Sequence, residues 1–576
     1  MISKRLRNLR ELLCKYDFAG YIVPTTNEYL SEYTPTYAKR LEYITGFTGS
    51  NGLAIILKDK VLFFTDGRYI NQCLLQLDDK LFEVFDLQLL PEFQWSDYIG
   101  DNMTIAYDPK LFTTWSLQNF SSIKLQAHFE NLIDKIWSGQ PARPSSKIYD
   151  YPLKYTGADY KDKIQKCRNV LEKNNAESIV ITSADSVCWL LNIRAHDVEF
   201  SPLLLANVVI TREHVYLFTN KDRLDKSLIR ADVTILPDSE FASIIEQFGG
   251  MILFDENQCS SYIAGLIKIK KYKHIKNPCD LWKACKNDVE IQYMKQGHVQ
   301  DAVAVCEMLA FIAHQDISDL TEYDLSQTLT ALRRKGKNYV FDSFSTICGY
   351  QNNAAIVHYC ADKKSARKII GQGLLLIDSG GQYMGATTDI TRTVVIGRPK
   401  IDYKKYYTKI LKGHIALASA VFPQDKVTGA HLDVLARQYL WYDGDDYSHG
   451  TGHGVGSFLS VHEGPQNISL TGFSAKIEKG MVVSNEPGYY VPGEFGIRIE
   501  NMMYARDAKD AGFLQFEMLT LVPYAIEMID VHMLTATELE FLQSYYSEIY
   551  NKIFTLLSNS AQKWLKEQIE WVLVRE

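Results

Sequence analysis

The chain opens on a helical apolar stripe. Leu6, Leu9, Leu12 and Leu13 recur at three- and four-residue spacing with Arg5, Arg7 and Arg10 between them, which predicts a surface helix. Short apolar runs follow. Residues 20–23 (GYIV) and 61–64 (VLFF) read as buried strands, and residues 46–52 (GFTGSNG) read as a turn. The pattern then echoes itself. Residues 178–182 (SIVIT) resemble the first run, and residues 215–223 (VYLFTNKDR) resemble VLFFTDGR at 61–68. Two related α/β domains in tandem are expected, joined near the segment PARPSS at 141–146.

The period changes after Asn277-Pro278. Ile291, Met294, Ala302, Val305, Leu309 and Ile312 fall on one face of a long helix. Gly-rich strand patterns carrying Asp, His and Glu come next. Near the end, Thr535 and Glu538 have capping-box spacing. Leu539, Leu542, Tyr546, Ile549, Ile553 and Leu556 then repeat at helical spacing. A helical tail is expected, and its apolar stripe makes it a candidate dimer element.

A chain of 576 residues exceeds one hydrophobic core, and 46% hydrophobic with 23% charged residues is ordinary for a folded enzyme. The net charge of −7 offers no basic footprint for nucleic acid or an anionic membrane. No apolar run reaches the ~20 residues needed to span a bilayer. The basic start would suit a presequence for ten residues, but it runs directly into a domain-like pattern. Ten cysteines without a C-x-x-C argue against a disulfide framework or zinc knuckle. They fit a reducing compartment, so a cytoplasmic location is expected.

Four segments carry chemistry. LLLIDSGG (374–381) is an apolar strand reaching Asp378 at a Gly-rich turn, and ATTDITRT (386–393) carries Asp389 among strand-type residues. A turn midway pairs the two as a hairpin and brings the aspartates together. HGTGHGVG (449–456) leaves His449 and His453 bare between glycines. NEPG (485–488) and GIRIE (496–500) supply Glu486 and Glu500. Each has a bland reading alone: a turn aspartate, a loop histidine, the solvent face of a strand. Together, four carboxylates and an imidazole are the donor set that holds two adjacent divalent cations, and it suits Mn²⁺, Co²⁺ or Fe²⁺.

These segments resemble the pita-bread peptidase family, and within it the long, three-domain aminopeptidase P (Xaa-Pro aminopeptidase) type. IVPTTNEYLSEYTP, ITGFTGSNGLAII and FFTDGRY carry the likeness at the N-terminus; AAIVHY, VHEGP, NEPGYY and FGIRIEN carry it further on. The resemblance implies an α/β (α+β) fold of two creatinase-type domains (1–145 and 146–285), a catalytic pita-bread domain (286–515) and a helical extension (516–576). It implies Asp378 on one metal, Asp389 and Glu500 bridging, and His453 and Glu486 on the other. The ions would be manganese, with cobalt, iron or zinc as alternatives. A hydroxide bridging them would attack the Xaa-Pro bond at a peptide N-terminus. His358 would stabilise the tetrahedral intermediate, His462 would shuttle protons beside Arg498, and Glu486 would accept the proton of the attacking water. His449, Tyr489 and Tyr490 would line a proline pocket, and Arg68 would reach substrate from the N-terminal region, in its own chain or across a homodimer. The resemblance leaves prolidase, with dipeptide substrates, as the nearest rival. Methionine aminopeptidase would leave about half the chain unexplained, and a metal-free binding module would lack several ligands.

Overall fold

A computed structural model describes residues 2–100, 103–225, 228, 230–473 and 475–573. The chain forms two compact units, Met1–Leu153 with Ala158–Cys279, and Lys154–Gly157 with Asp280–Glu576.

The first unit opens on the helix Ile2–Tyr16, which buries Leu6, Leu9 and Leu13. Strands β1 (Gly20–Pro24), β2 (Leu53–Leu57), β3 (Val61–Thr65), β4 (Phe82–Asp86), β5 (Thr104–Tyr107) and β6 (Lys124–Ala127) form a sheet in the order β4-β3-β2-β1-β5-β6. A short ladder joins β7 (Tyr149–Asp150) to β9 (Ile193–Arg194). The second sheet holds β8 (Ser178–Ile181), β10 (Asn207–Thr211), β11 (Val215–Phe218), β12 (Val233–Leu236), β13 (Ile252–Phe254) and β14 (Tyr272–His274), ordered β12-β11-β10-β8-β13-β14. Junction by junction the sheets agree. β1–β2 and β2–β3 are antiparallel, as are β8–β10 and β10–β11. The outer junctions are parallel in both. The sequence echo is thus a repeat of topology, with β3 and β11 in equivalent places.

The second unit begins its main helix at Asp288–His314. Asn287 caps it in a box with Glu290, and Ile291, Met294, Ala302, Val305, Leu309 and Ile312 are buried. A second capped helix, Glu322–Arg333, follows. Then come β15 (Tyr339–Asp342), β16 (Ile347–Tyr350), β17 (Gly373–Ser379), β18 (Gly381–Tyr383), β19 (Ala386–Thr387) and β20 (Ile390–Ile396). They split into the sheets β15-β18-β19 and β16-β17-β20. Helices Ile401–Ala418 and Gly429–Trp441 flank β21 (Val421–Pro423). The remaining strands are β22 (Gly452–Gly454), β23 (Glu463–Ile468), β24 (Val482–Asn485), β25 (Gly488–Val491), β26 (Phe495–Arg498), β27 (Asn501–Asp507) and β28 (Phe513–Met518). Five of them join β21 in the sheet β21-β28-β27-β24-β22-β23, and β25 pairs with β26.

The tail is two helices, Ala536–Ile553 and Asn559–Leu573, and Thr535 with Glu538 makes the capping box. Most of its stripe is buried. Leu542, Tyr546, Ile549 and Ile553 pack into the same core as Leu374, Leu375 and Ile377 of β17. That corrects the tail's reading as a dimer element: its apolar face is already covered by its own chain. Leu556 is 54% exposed, because the helix ends at Ile553 and a 3-10 turn, Phe554–Leu556, breaks the period.

Candidate active site

The aspartates meet through strand pairing. β17 and β20 are antiparallel with Asp378 opposite Thr391 and Ser379 opposite Ile390. Asp389 immediately precedes β20, with β18 and β19 folded as an inserted hairpin between the two strands. Side chains two apart along a strand share a face, so Asp389 and Thr391 point the same way. The glycines around His453 are needed for close approach. A Cβ on Gly452 would sit 2.0 Å from the Ser484 carbonyl oxygen, and one on Gly454 would sit 2.2 Å from that of Glu463.

One ligand atom each from Asp389, His453 and Glu500 lies within 4.8 Å of the other two. His453 Nε2 is 3.4 Å from Asp389 Oδ2 and 3.4 Å from Glu486 Oε1. Its Nδ1–H donates to the Gly454 carbonyl at 3.0 Å, which assigns Nε2 as the atom facing the carboxylates. Asp378 joins through Arg498, whose Nη2 donates to Asp378 Oδ2 at 2.6 Å. Thr391 Oγ1 donates to Glu500 Oε2 at 2.7 Å and accepts from Arg498 Nε at 3.1 Å. Ser484 Oγ donates to Glu486 Oε1 at 3.1 Å.

The cluster is short of positive charge. Asp378 Oδ1, Asp389 Oδ1 and Glu500 Oε1 are buried and have no hydrogen-bond partner among the described residues. Burial pushes Asp378 up to about 7, with Arg498 opposing and the Asp389 charge adding to it. Burial raises Glu486 and, more strongly, Glu500, which also feels the charges of Asp389, Glu486 and Asp378. Burial alone would lower His453. The hydrogen bond to Asp389 and the charges of Glu486 and Asp389 overcome it and raise the imidazole to about 9. Carboxylates crowded like this, three of them with an orphaned buried oxygen, fit divalent cations as the missing counter-charge.

His449, Tyr490 and Arg498 form a relay at the rim. His449 Nδ1–H donates to the Gly450 carbonyl at 2.8 Å, so its Nε2 accepts from the Tyr490 hydroxyl at 2.9 Å. The same hydroxyl accepts from Arg498 Nη1 at 2.7 Å. His462 packs edge-on against His453, ring centroids 4.3 Å apart. His358 lies on the segment held by Arg498, whose Nη2 also donates to the Val357 carbonyl at 3.4 Å. Tyr489 stacks on Tyr406 at 4.0 Å and donates to Asp445. Arg68 belongs to the first compact unit, where it makes a two-pronged pair with Asp66 at 2.8 and 2.9 Å.

Comparison with known proteins places this constellation. Residues 292–507 match the model of metallopeptidase family M24, and 512–571 match the C-terminal region of that peptidase. Residues 5–135 and 139–290 each match a creatinase/prolidase N-terminal domain. Xaa-Pro aminopeptidase 1 of Dictyostelium discoideum is 36% identical, over 99% of this chain and 96% of the relative. Aminopeptidase P2 of Arabidopsis thaliana is 34% identical, over 98% and 88%. The crystal structure of X-prolyl aminopeptidase from Caenorhabditis elegans, described as a cytosolic enzyme with a di-nuclear active site, superposes with a TM-score of 0.92 at 29% identity. It covers 99% of both chains. The chain belongs to the Xaa-Pro aminopeptidase family of M24 metallopeptidases. A prolidase from Pyrococcus horikoshii superposes over only 63% of the chain, with a TM-score of 0.52 at 22% identity, and shares the fold. In this member of the Xaa-Pro aminopeptidase family, two creatinase-type domains precede a pita-bread domain and its C-terminal region, as expected.

Sequence reasoning about this Xaa-Pro aminopeptidase family member missed the supporting residues. Thr391 was legible in principle, two residues beyond Asp389. Arg392 gave no signal. Its guanidinium donates to the carbonyls of Thr391, Glu500, Val522 and Pro523, to Asn501 Oδ1 and to the Tyr545 hydroxyl, and so ties β20 to β27 and the tail. Neither did Lys283 and Lys286, which both face Glu463 beside His462, at 3.3 and 2.5 Å.

Proposed function

We propose that this protein is a two-metal aminopeptidase that removes the N-terminal residue from peptides with proline second. The observation that carries the proposal is the group Asp389, His453 and Glu500, each with a ligand atom within 4.8 Å of the other two, beside Glu486 and with one buried oxygen each of Asp378, Asp389 and Glu500 unpartnered among the described residues. Asp378, Asp389, His453, Glu486 and Glu500 would hold two divalent cations, manganese by preference for an oxygen-rich set with one imidazole. Such cations, when bound, lower the pKa of water and act as Lewis acids toward a carbonyl. The chain's residues do the rest. Glu486 takes the proton as water adds to the carbonyl carbon. His358 donates to the oxyanion that develops there. His462 delivers a proton to the proline nitrogen as its bond to carbon breaks. Tyr490, held between His449 and Arg498, presents a ring face to proline, which has no N–H to satisfy.

A cytoplasmic setting and a homodimer belong to the same proposal. Ten cysteines with free thiols support the first. The second is supported by Trp441 and Tyr442, 39% and 77% exposed at the end of one helix. Sedimentation of the purified chain at monomer mass would remove the dimer.

Metal-stripped protein titrated with Mn²⁺ should gain activity on an Xaa-Pro-Pro peptide, saturating near two ions per chain, and should favour Xaa-Pro-Yaa tripeptides over Xaa-Pro dipeptides. Preference for dipeptides would make it a prolidase, and no gain with any divalent ion would end the enzymatic reading. His358→Ala should keep both ions and lose about 10²–10³-fold in kcat, the size of a lost oxyanion donor. An unchanged kcat would remove His358 from the reaction.

A further inference from the structure

His358 sits on a stretch with little regular structure. Between β16 and β17 the chain makes one 3-10 turn, Gln351–Ala355, and no strand. Buried backbone outside a ladder must find partners elsewhere. Here much of the partnering falls to one side chain, Glu322, which is 0% exposed at the first turn of the helix Glu322–Arg333. Its Oε1 accepts from the Tyr350 amide at 2.7 Å and the Asn353 carboxamide at 3.0 Å. Its Oε2 accepts from the same carboxamide at 3.1 Å, the Tyr359 hydroxyl at 2.8 Å and the Arg367 amide at 2.8 Å. The Glu322 amide in turn donates to the Arg367 carbonyl.

Those donors bracket His358. Tyr350 and Asn353 precede it, Tyr359 is its neighbour, and Arg367 closes the segment. All four groups are uncharged, and only an ionised carboxylate offers acceptors to all of them at once. The helix N-terminus favours that charge, and burial with the Glu322 charge pushes the Tyr359 phenol up, so it stays a donor. The opposite side is closed as well. A Cβ at Gly496 would lie 1.9 Å from the Ala354 carbonyl oxygen, and one at Gly349 would lie 2.9 Å from the Ala354 nitrogen. The 3-10 turn is therefore wedged between β16 and β26. Arg498, which grips Asp378, also grips the Val357 carbonyl.

We infer that Glu322 is a positioning residue for the reaction: a buried anion that places His358 against the substrate carbonyl while touching neither substrate nor cations. This rests on the role proposed for His358. A displacement near 1 Å at such a donor costs on the order of 10²-fold in rate, so a carboxylate that only stabilised the fold would act differently from one that acts through His358.

The double-mutant cycle separates the two. Glu322→Gln turns one of the two acceptor oxygens into a donor facing donors. It should lower kcat about 10- to 100-fold, keep two ions per chain and leave KM within about threefold. Added to His358→Ala, it should slow the enzyme by no more than about threefold. In the metal-free protein, trypsin should cut after the exposed Lys363 or Lys364 several-fold faster in Glu322→Gln. Wild-type kcat in Glu322→Gln, equal losses in the wild-type and His358→Ala backgrounds, or unchanged cleavage would each overturn the inference. Should Glu322→Gln not fold, Tyr359→Phe and Asn353→Ala each remove one donor. Each should lose about 3- to 10-fold in kcat, again absorbed by His358→Ala; wild-type kcat in both overturns it. If His358→Ala itself keeps full kcat, the reading of His358 fails and the inference with it. A slow His358→Ala with additive losses removes only the inference.

Discussion

Glu500→Ala should abolish turnover of an Xaa-Pro-Yaa peptide, by at least about 10³-fold or roughly 4 kcal/mol of transition-state stabilisation, and should leave at most one ion bound per chain. Glu500 is 1% exposed, brings a ligand atom within 4.8 Å of Asp389 and His453, and has an Oε1 with no hydrogen-bond partner among the described residues. Its backbone carbonyl is held by Arg392 and its amide by the Thr391 carbonyl, so truncation leaves the frame in place. The stability signature has an unusual sign. Most buried truncations destabilise, but removing Glu500 relieves repulsion among crowded carboxylates. Metal-free Glu500→Ala should therefore melt no lower than metal-free wild type. The variant should also gain less from added Mn²⁺, because a ligand stabilises only in proportion to its binding. Two ions still bound, with wild-type turnover, would dismantle the proposed mechanism.

Glu463→Ala should be the most damaging change to stability. Lys283 and Lys286 have side chains 1% and 0% exposed, and both face Glu463, itself 0% exposed. Removing the shared carboxylate takes the counter-charge from two buried ammonium groups, of which Lys283 keeps the Gly464 carbonyl at 3.5 Å, and losing one partner of a buried pair typically costs about 3–5 kcal/mol. Urea unfolding should show a loss of that size. Glu463→Gln should lose less, since its amide oxygen still accepts from one lysine. Because Glu463 adjoins His462, surviving protein should also lose kcat. A shift under about 1 kcal/mol would mean that the lysines find other partners.

The legible parts of this molecule were those whose signal is local. Asp378 at the end of LLLID and Asp389 in TTDITRT announce a hairpin through strand pattern, and β17 and β20 pair as that pattern requires. His453 between glycines was legible because only glycine permits the approach to Ser484 and Glu463. The supports were illegible for the opposite reason. Glu322 looks like an ordinary acid in the first turn of a helix, where the dipole alone accounts for it. Its real partners lie 28 to 45 residues away. Lys286 and Glu463 are 177 residues apart. The tail misled because a stripe tells that a face will be buried, not by which chain.

The two matched sheets have a historical consequence. Equal strand order with equal direction at every junction is the mark of a duplicated ancestor. The copies then diverged at one turn. Arg68, after β3, pairs with Asp66 in its own turn and stays 31% exposed. In the second copy Arg223, after β11, has turned inward onto Asp197 and is 9% exposed. One descendant became an internal strut; the other kept its head in water, which is where selection could still recruit it for contact with a peptide.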